Sequence, residues 1–272
     1  MNLLMQCLLY DTHAHLVNSQ LANRISEVCE HAQANGVGLI NCIATDLETS
    51  HESIALAEKL PGVFATVGWH PNDCLAATTD QWNEIKKLAL HSKVVALGET
   101  GLDLYWKDCP IELQRQWFAR HWELSREIEK PVVIHMRDCE AEMLKALRSQ
   151  AASQPLHGVM HSFTGCWETA AACLEMGLYI SFAGMLTFKN SEPLRQVARQ
   201  VPLDRLLVET DSPYLAPDPH RGKKPNQPGW VKYTAECLAE LRGMTSDDLA
   251  HATTANGCRL FGVEPSGIIH SV

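Results

Sequence analysis

Short apolar runs recur along the chain, each followed by a polar turn and a stretch with helical periodicity. The runs fall at residues 7–11, 38–44, 63–67, 94–98, 131–135, 158–161, 178–183 and 206–209. They are continuous rather than alternating, as expected of strands buried on both faces of a parallel sheet. Between them, residues 23–35, 50–60, 81–91, 112–129, 140–150, 168–176 and 192–200 carry the amphipathic spacing of helices. Gly36, Gly62 and Gly177 fall just past three of these, where a helix C-terminal glycine belongs. Residues 230–242 and 246–261 add two closing helices. Eight β–α alternations predict an α/β fold, a single-domain (β/α)8 TIM barrel. A doubly wound open sheet is the alternative, but the first strand is not followed by a glycine-rich phosphate loop. With no low-complexity segment or linker, residues 1–272 read as one domain. The one long irregular stretch, 212–229, is rich in Pro, Gly, Lys and Arg, and a loop of that length tends to serve function.

Composition narrows the classes. No apolar run reaches the roughly 20 residues of a membrane span. The apolar N-terminus lacks a basic leader region and reads as a first strand rather than a signal peptide. Ten cysteines are scattered with no CxxC, which suits reduced thiols in a cytoplasmic protein better than a disulfide framework or a cysteine zinc site. The formal net charge of −9 argues against a broad basic surface for duplex nucleic acid. It leaves room for a phosphate bound locally through metal ions and a few cations.

Candidate chemistry collects at the strand ends. The first strand runs into Asp11-Thr12-His13-Ala14-His15, and an HxH pair on one strand face is a metal-ligand pattern. Later strand ends carry Gly68-Trp69-His70-Pro71, Gly98-Glu99-Thr100-Gly101-Leu102-Asp103, His135-Met136-Arg137-Asp138, His161-Ser162-Phe163-Thr164-Gly165 and Glu209-Thr210-Asp211-Ser212-Pro213-Tyr214. Barrel active sites lie at this face. Histidines and acids next to such apolar strands are disfavoured unless paired or ligating.

In those motifs, in that order over nearly the whole chain, the sequence resembles the TatD family of metal-dependent hydrolases, a branch of the amidohydrolase-type barrels. The resemblance implies a two-metal site. His13, His15 and Asp211 would bind one ion, His135 and His161 the other, and Glu99 would bridge. Two divalent cations are thus expected as cofactors, with Zn, Mn, Co or Ni suited to imidazoles and Mg usual in the family. Some family members have lost the first HxH; this chain keeps it. Several amidohydrolase relatives bridge their metals with a carbamylated lysine, a task Glu99 would perform unmodified.

Asp211 is the candidate for orienting the attacking water and taking its proton, with Glu99 as the other catalytic carboxylate. Glu209 is expected to support a ligand, a third-metal role being the alternative. The resemblance places His70 on the substrate phosphate; a structural turn histidine before Pro71 is the plainer reading. Arg137 and Arg221 are candidates for bidentate phosphate contacts, and Lys223 and Lys224 for phosphate contacts or solvated surface charge. Core packing is the expectation for Trp69, Trp106, Trp167 and Trp230, and stacking on unpaired bases the alternative. Asp103 and Asp138 are expected to hold ligand histidines or fix loops. His31, His51, His91, His121 and His251 are expected on helices without a chemical role.

The leading expectation is a metal-dependent deoxyribonuclease, a 3′–5′ exonuclease on single-stranded DNA, because a concave barrel face admits single strands better than a duplex. The alternative in the same superfamily is an ester or amide hydrolase, of the lactonase or aminoacyl-tRNA deacylase type. A non-catalytic scaffold on a decayed barrel is disfavoured by the complete ligand set. DNA is the expected partner and no membrane is expected. The sequence carries no signal for oligomeric state, and a monomer is the working expectation.

Overall fold

A computed structural model describes residues 9–264. Its eight strands are β1 (Leu9–Ala14), β2 (Val37–Cys42), β3 (Val63–Val67), β4 (Val94–Asp103), β5 (Val132–Arg137), β6 (Gly158–Met160), β7 (Tyr179–Phe182) and β8 (Leu206–Val208). All pair in parallel in the order β1 to β8. The two edges meet just beyond β8: Ala14 bridges Ser212, His15 N–H donates to Ser212 O at 2.7 Å, and Asp211 N–H donates to His13 O at 2.9 Å. The sheet is therefore a nearly closed barrel.

The helices are α1 (Ser19–Ala22), α2 (Ile25–Ala34), α3 (Leu47–Lys59), α4 (Thr79–Leu88), α5 (Ile111–Ile128), α6 (Glu140–Ala151), α7 (Trp167–Glu175), α8 (Glu192–Gln200), α9 (Val231–Arg242) and α10 (Ser246–Phe261). Helix starts differ from the periodicity where capping decides them. α3 begins at Leu47 because Asp46 accepts from Thr49 N while the Thr49 hydroxyl returns to Asp46 N. Thr78 and Gln81 form the same reciprocal cap for α4, which ends at Leu88 and leaves His91 in the following turn rather than on a helix. The short α1 was not legible as a separate helix. Residues 7 and 8 of the expected first strand lie outside the described residues.

Most apolar side chains pack between the barrel and its helices. A second cluster, including Tyr10, Leu39, Val133, Val159 and Leu207, fills the lower interior and is closed from below by Leu260 and Phe261 of α10. Among the described residues no helix is long and apolar enough to cross a membrane.

Two irregularities aim the functional side chains. Asp11 pairs with Ile40 and Ala14 with Cys42, so β1 has one more residue than β2 over this step. Tyr10 and Thr12 face the interior below the step; above it, Ala14 packs outward and His13 and His15 turn inward. β4 repeats the device, with Leu97 opposite Val132 and Thr100 opposite Ile134. Gly98 has φ +131°, and a Cβ there would lie 2.6 Å from Val133 O. Gly101 has φ +151°, and a Cβ there would lie 2.0 Å from His135 O. Glycine at both positions lets β4 bulge Glu99 into the barrel while β5 stays close. The strand thereby runs to Asp103, five residues beyond its expected end, and Glu99 sits within it rather than after it.

Candidate metal centre

Glu99 is the hub, buried to 3% exposure. Its Oε1 lies 2.8 Å from His135 Nδ1, 2.8 Å from His161 Nε2 and 3.6 Å from His70 Nε2. Its Oε2 lies 3.3 Å from His13 Nε2 and 3.5 Å from His15 Nε2. Asp211 Oδ1 completes the second side, 3.5 Å from His15 and 3.7 Å from His13. One carboxylate thus presents one oxygen to His135, His161 and, farther off, His70, and the other to His13 and His15.

The donor set fits metal ions. Ring nitrogens face one another twice, His13 Nε2 to His15 Nε2 at 3.3 Å and His135 Nδ1 to His161 Nε2 at 3.4 Å. Two lone pairs at that distance need a shared proton or a cation between them. The outer nitrogens of three of these rings are held elsewhere: His15 Nδ1 by Ile43 O at 3.2 Å, His135 Nε2 by Asp103 at 3.0 Å, and His161 Nδ1 by Glu209 at 3.3 Å. Carboxylates behind metal-facing imidazoles fix ring orientation and raise basicity. Among the described residues, three groups of side chains lie close enough to share an ion: His13, Glu99 and His161; His13, His15 and Asp211; and His70, Glu99 and His135.

Titration reflects the same crowding. Burial alone would raise the Glu99 carboxyl, but His161, His13 and His70 hold it well below the ordinary range. Burial disfavours a charge on His161, yet Glu99 and Glu209 lift it well above its usual value. His15 and His135 are raised against burial by Asp211 and by Asp103 with Glu99 respectively. Burial and the neighbouring His161 lower His13. Burial would raise Asp211, but His15 and His13 depress it, so it is a carboxylate at neutral pH.

His70 behaves differently. Burial and the adjacent His135 push it down to about 3, so it is neutral. Asn72 N–H donates to its Nδ1 at 3.2 Å, which leaves the ring proton on Nε2, the nitrogen facing Glu99. A ring in that form donates a hydrogen bond and is not ready to ligate. His70 also caps the short 3₁₀ turn Pro71–Ala76, so the turn reading and the contact reading are compatible.

The supporting residues were only partly legible. Asp103, buried to 1%, binds His135 and Asn72 through Oδ2, and the Tyr105 and Trp106 N–H groups through Oδ1. Burial opposes its ionisation, but His135 and Trp106 N–H hold it at about 2. Glu209 accepts from Ser162 N at 2.6 Å and so fixes the residue after His161. Asp11 had no assigned role, yet it accepts from Thr210 N at 2.9 Å and from the Thr210 hydroxyl at 2.6 Å, tying β1 to the segment that carries Asp211. Burial pushes its carboxyl up to about 8 despite those bonds. His121 also mattered more than its helical position suggested. Its Nε2 accepts Trp69 N–H at 3.0 Å and its Nδ1 meets Trp117 O at 2.7 Å, anchoring the loop before His70.

Arg137 and Arg221 do not join the cluster. The Arg137 guanidinium lies 3.7 Å over the exposed Tyr105 ring, and that of Arg221 lies 4.2 Å over Phe188. Lys223 and Lys224 are exposed. Trp69 and Trp230 are buried as expected and Trp167 is partly buried, but Trp106 is 50% exposed, so core packing fails for that residue. It follows β4 in a turn pinned by Asp103, whose Oδ1 accepts its N–H. Tyr214 is also half exposed and its ring lies 5.9 Å from that of His15.

Asp103→Asn keeps an acceptor for the turn but weakens the charge-assisted bond behind His135. It is expected to lower metal affinity or kcat/KM by about 10- to 100-fold, measured by metal titration with steady-state kinetics. Unchanged metal affinity and kinetics would remove His135 from the metal-binding role.

Known proteins resemble this chain in sequence and fold. The family described as TatD related DNase matches residues 10–262. The chain is 41% identical to the metal-dependent hydrolase YabD of Bacillus subtilis (strain 168), over 94% of this chain and all of that protein. It is 32% identical to the 3′-5′ ssDNA/RNA exonuclease TatD of Citrobacter rodentium (strain ICC168), over 94% of this chain and 98% of that one. The crystal structure of YjjV, a TatD homologue from Escherichia coli K12, superposes with a TM-score of 0.88 at 29% identity, covering 95% of this chain and 99% of that one. Eight-stranded barrel, converging imidazoles and carboxylates, and matched sequence agree: the chain is a metal-dependent hydrolase belonging to the TatD-related DNase family.

Proposed function

We propose that this hydrolase is a deoxyribonuclease that removes nucleotides from the 3′ end of single-stranded DNA. The observation that carries the reading is the division of Glu99 between two histidine pairs, His135 with His161 on one oxygen and His13 with His15 on the other. A carboxylate so shared suits a bridge between two cations. His13, His15 and Asp211 would hold one, and His135 and His161 the other. Two bound divalent ions would supply an activated water and a clamp on the attacking and leaving oxygens of a phosphodiester.

The protein groups then have separate tasks. Asp211, ionised and only partly buried, orients the water and accepts its proton. His70, neutral with its proton on Nε2, donates to a phosphate oxygen. Arg137 and Arg221 contact phosphates farther along the strand. The water oxygen bonds to phosphorus, the P–O3′ bond breaks, the 3′ oxygen takes up a proton from solvent to become the hydroxyl of the shortened strand, and the phosphate leaves on a 5′-mononucleotide. The relative named as an ssDNA/RNA exonuclease supports this choice of substrate.

The test uses a 5′-labelled single-stranded oligonucleotide with added Mn²⁺ or Mg²⁺. The expected result is a ladder that shortens from the 3′ end, absent with chelator and absent for Asp211→Asn. Intact oligonucleotide, together with hydrolysis of a lactone or an aminoacyl-tRNA ester, would overturn the reading.

A further inference from the structure

Three exposed apolar residues follow β4 directly: Leu104, Tyr105 and Trp106, at 40%, 49% and 50% exposure. Three consecutive exposed apolar residues make a patch rather than the scattered single ones of an ordinary surface. The turn is not loose. Asp103 Oδ1 receives both the Tyr105 and Trp106 N–H groups, at 2.8 and 3.0 Å, and Leu104 N–H donates to Arg137 O at 2.9 Å. The same carboxylate grips His135 through its other oxygen. The turn is thus tied by one side chain to the candidate metal centre.

The rings are organised as well as exposed. Tyr105 and Trp106 meet edge to face, with centroids 4.9 Å apart and planes at 88°. Arg137, two residues beyond His135 on β5, lays its guanidinium 3.7 Å over Tyr105 and 5.9 Å from the Trp106 ring. One face of Tyr105 is therefore taken by Arg137, whereas Trp106 stands half exposed near the same guanidinium. A planar π-surface beside a guanidinium complements a nucleotide, whose base stacks and whose phosphate takes a bidentate arginine.

We propose that Trp106 is a base-stacking subsite for an unpaired nucleotide of the substrate, with Tyr105 holding Arg137 for the phosphate of that nucleotide. The proposal rests on the phosphodiesterase reading and adds to it how the strand is gripped: by base and phosphate, without a sequence-specific hydrogen-bond pattern. It also accounts for nucleic-acid binding by a chain of net charge −9. The grip is local, so unpaired bases are required and a duplex, whose bases are stacked inward, gains nothing from Trp106.

The test separates binding from cleavage. Affinity for a labelled oligothymidylate is measured by fluorescence anisotropy in the Asp211→Asn background with Mn²⁺, and cleavage by the wild-type enzyme is measured in parallel. Trp106→Ala is expected to weaken binding about tenfold and Trp106→Phe to restore most of it. Tyr105→Ala and Arg137→Gln should each weaken binding, whereas Tyr105→Phe should not. An oligonucleotide of abasic residues should bind the Trp106→Ala variant and its parent equally. Equal affinity of Trp106→Ala and its parent for oligothymidylate, or no binding by the parent, would overturn the subsite. Binding with the expected variant pattern but no wild-type cleavage would uphold the subsite and overturn only the phosphodiesterase reading.

Discussion

Glu99→Gln is expected to abolish hydrolysis, with kcat/KM falling at least a thousandfold while the barrel stays folded. The carboxylate neutralises imidazoles on both sides, and its two oxygens are within 2.8–3.6 Å of five ring nitrogens. An amide is nearly the same size but carries no charge and offers one acceptor oxygen. A metal ion contributes several kcal/mol of charge stabilisation to a hydrolytic transition state. Losing about 4 kcal/mol corresponds to about a thousandfold in rate. Bound metal should fall with activity, because both candidate ion positions share this side chain. Circular dichroism and metal analysis alongside kinetics provide the check. Substantial activity in Glu99→Gln with wild-type metal content would show that the bridge lies elsewhere.

The second large effect concerns stability in acid. His121 is fully buried in α5, and burial pushes it down to about 4 from an ordinary 6.5. The hydrogen bonds agree with a neutral ring, since Nε2 accepts Trp69 N–H and Nδ1 is left to donate to Trp117 O. Between pH 6.5 and 4 the unfolded chain binds a proton at this position and the native protein does not. The contribution is complete above pH 6.5, is lost as pH falls toward 4, and does not change further below that. At about 1.4 kcal/mol per pKa unit, the loss is about 3 kcal/mol. His121→Gln keeps an acceptor for Trp69 N–H but cannot titrate. Its stability deficit relative to wild type should shrink by about 3 kcal/mol between pH 7 and pH 4 in urea denaturation. A deficit independent of pH would mean that His121 titrates alike in the native and the unfolded chain. The same residue holds the backbone beside His70, through the Trp69 N–H.

The sequence carried much of this architecture, and particular residues show where it stopped. Continuous apolar runs and glycine-terminated helices announced eight strands because a parallel barrel strand is buried on both faces. The HxH pair, the Gly-Glu-Thr-Gly run and the His and Asp at later strand ends were visible because chemistry requires those residue types at that barrel face. What was not visible is phase. Alternation from Tyr10 would turn Ala14 inward and His13 outward; the extra residue in β1 reverses this, and a bulge leaves no mark in hydropathy. The bulge at Gly98–Glu99 lengthened β4 in the same way, although its two glycines were a usable sign. Asp11 and His121 were underestimated because their partners, Thr210 and Trp69, are distant in sequence. Trp106 was expected in the core because tryptophan usually is, and only its pinned turn shows otherwise.

In the proposed centre, Glu99 joins two cations at the mouth of the barrel. The most direct measurement is anomalous scattering from a crystal grown with Mn²⁺. Two peaks are expected, both within bonding distance of Glu99, one beside His13, His15 and Asp211 and the other beside His135 and His161. A single peak, or none touching Glu99, would contradict it.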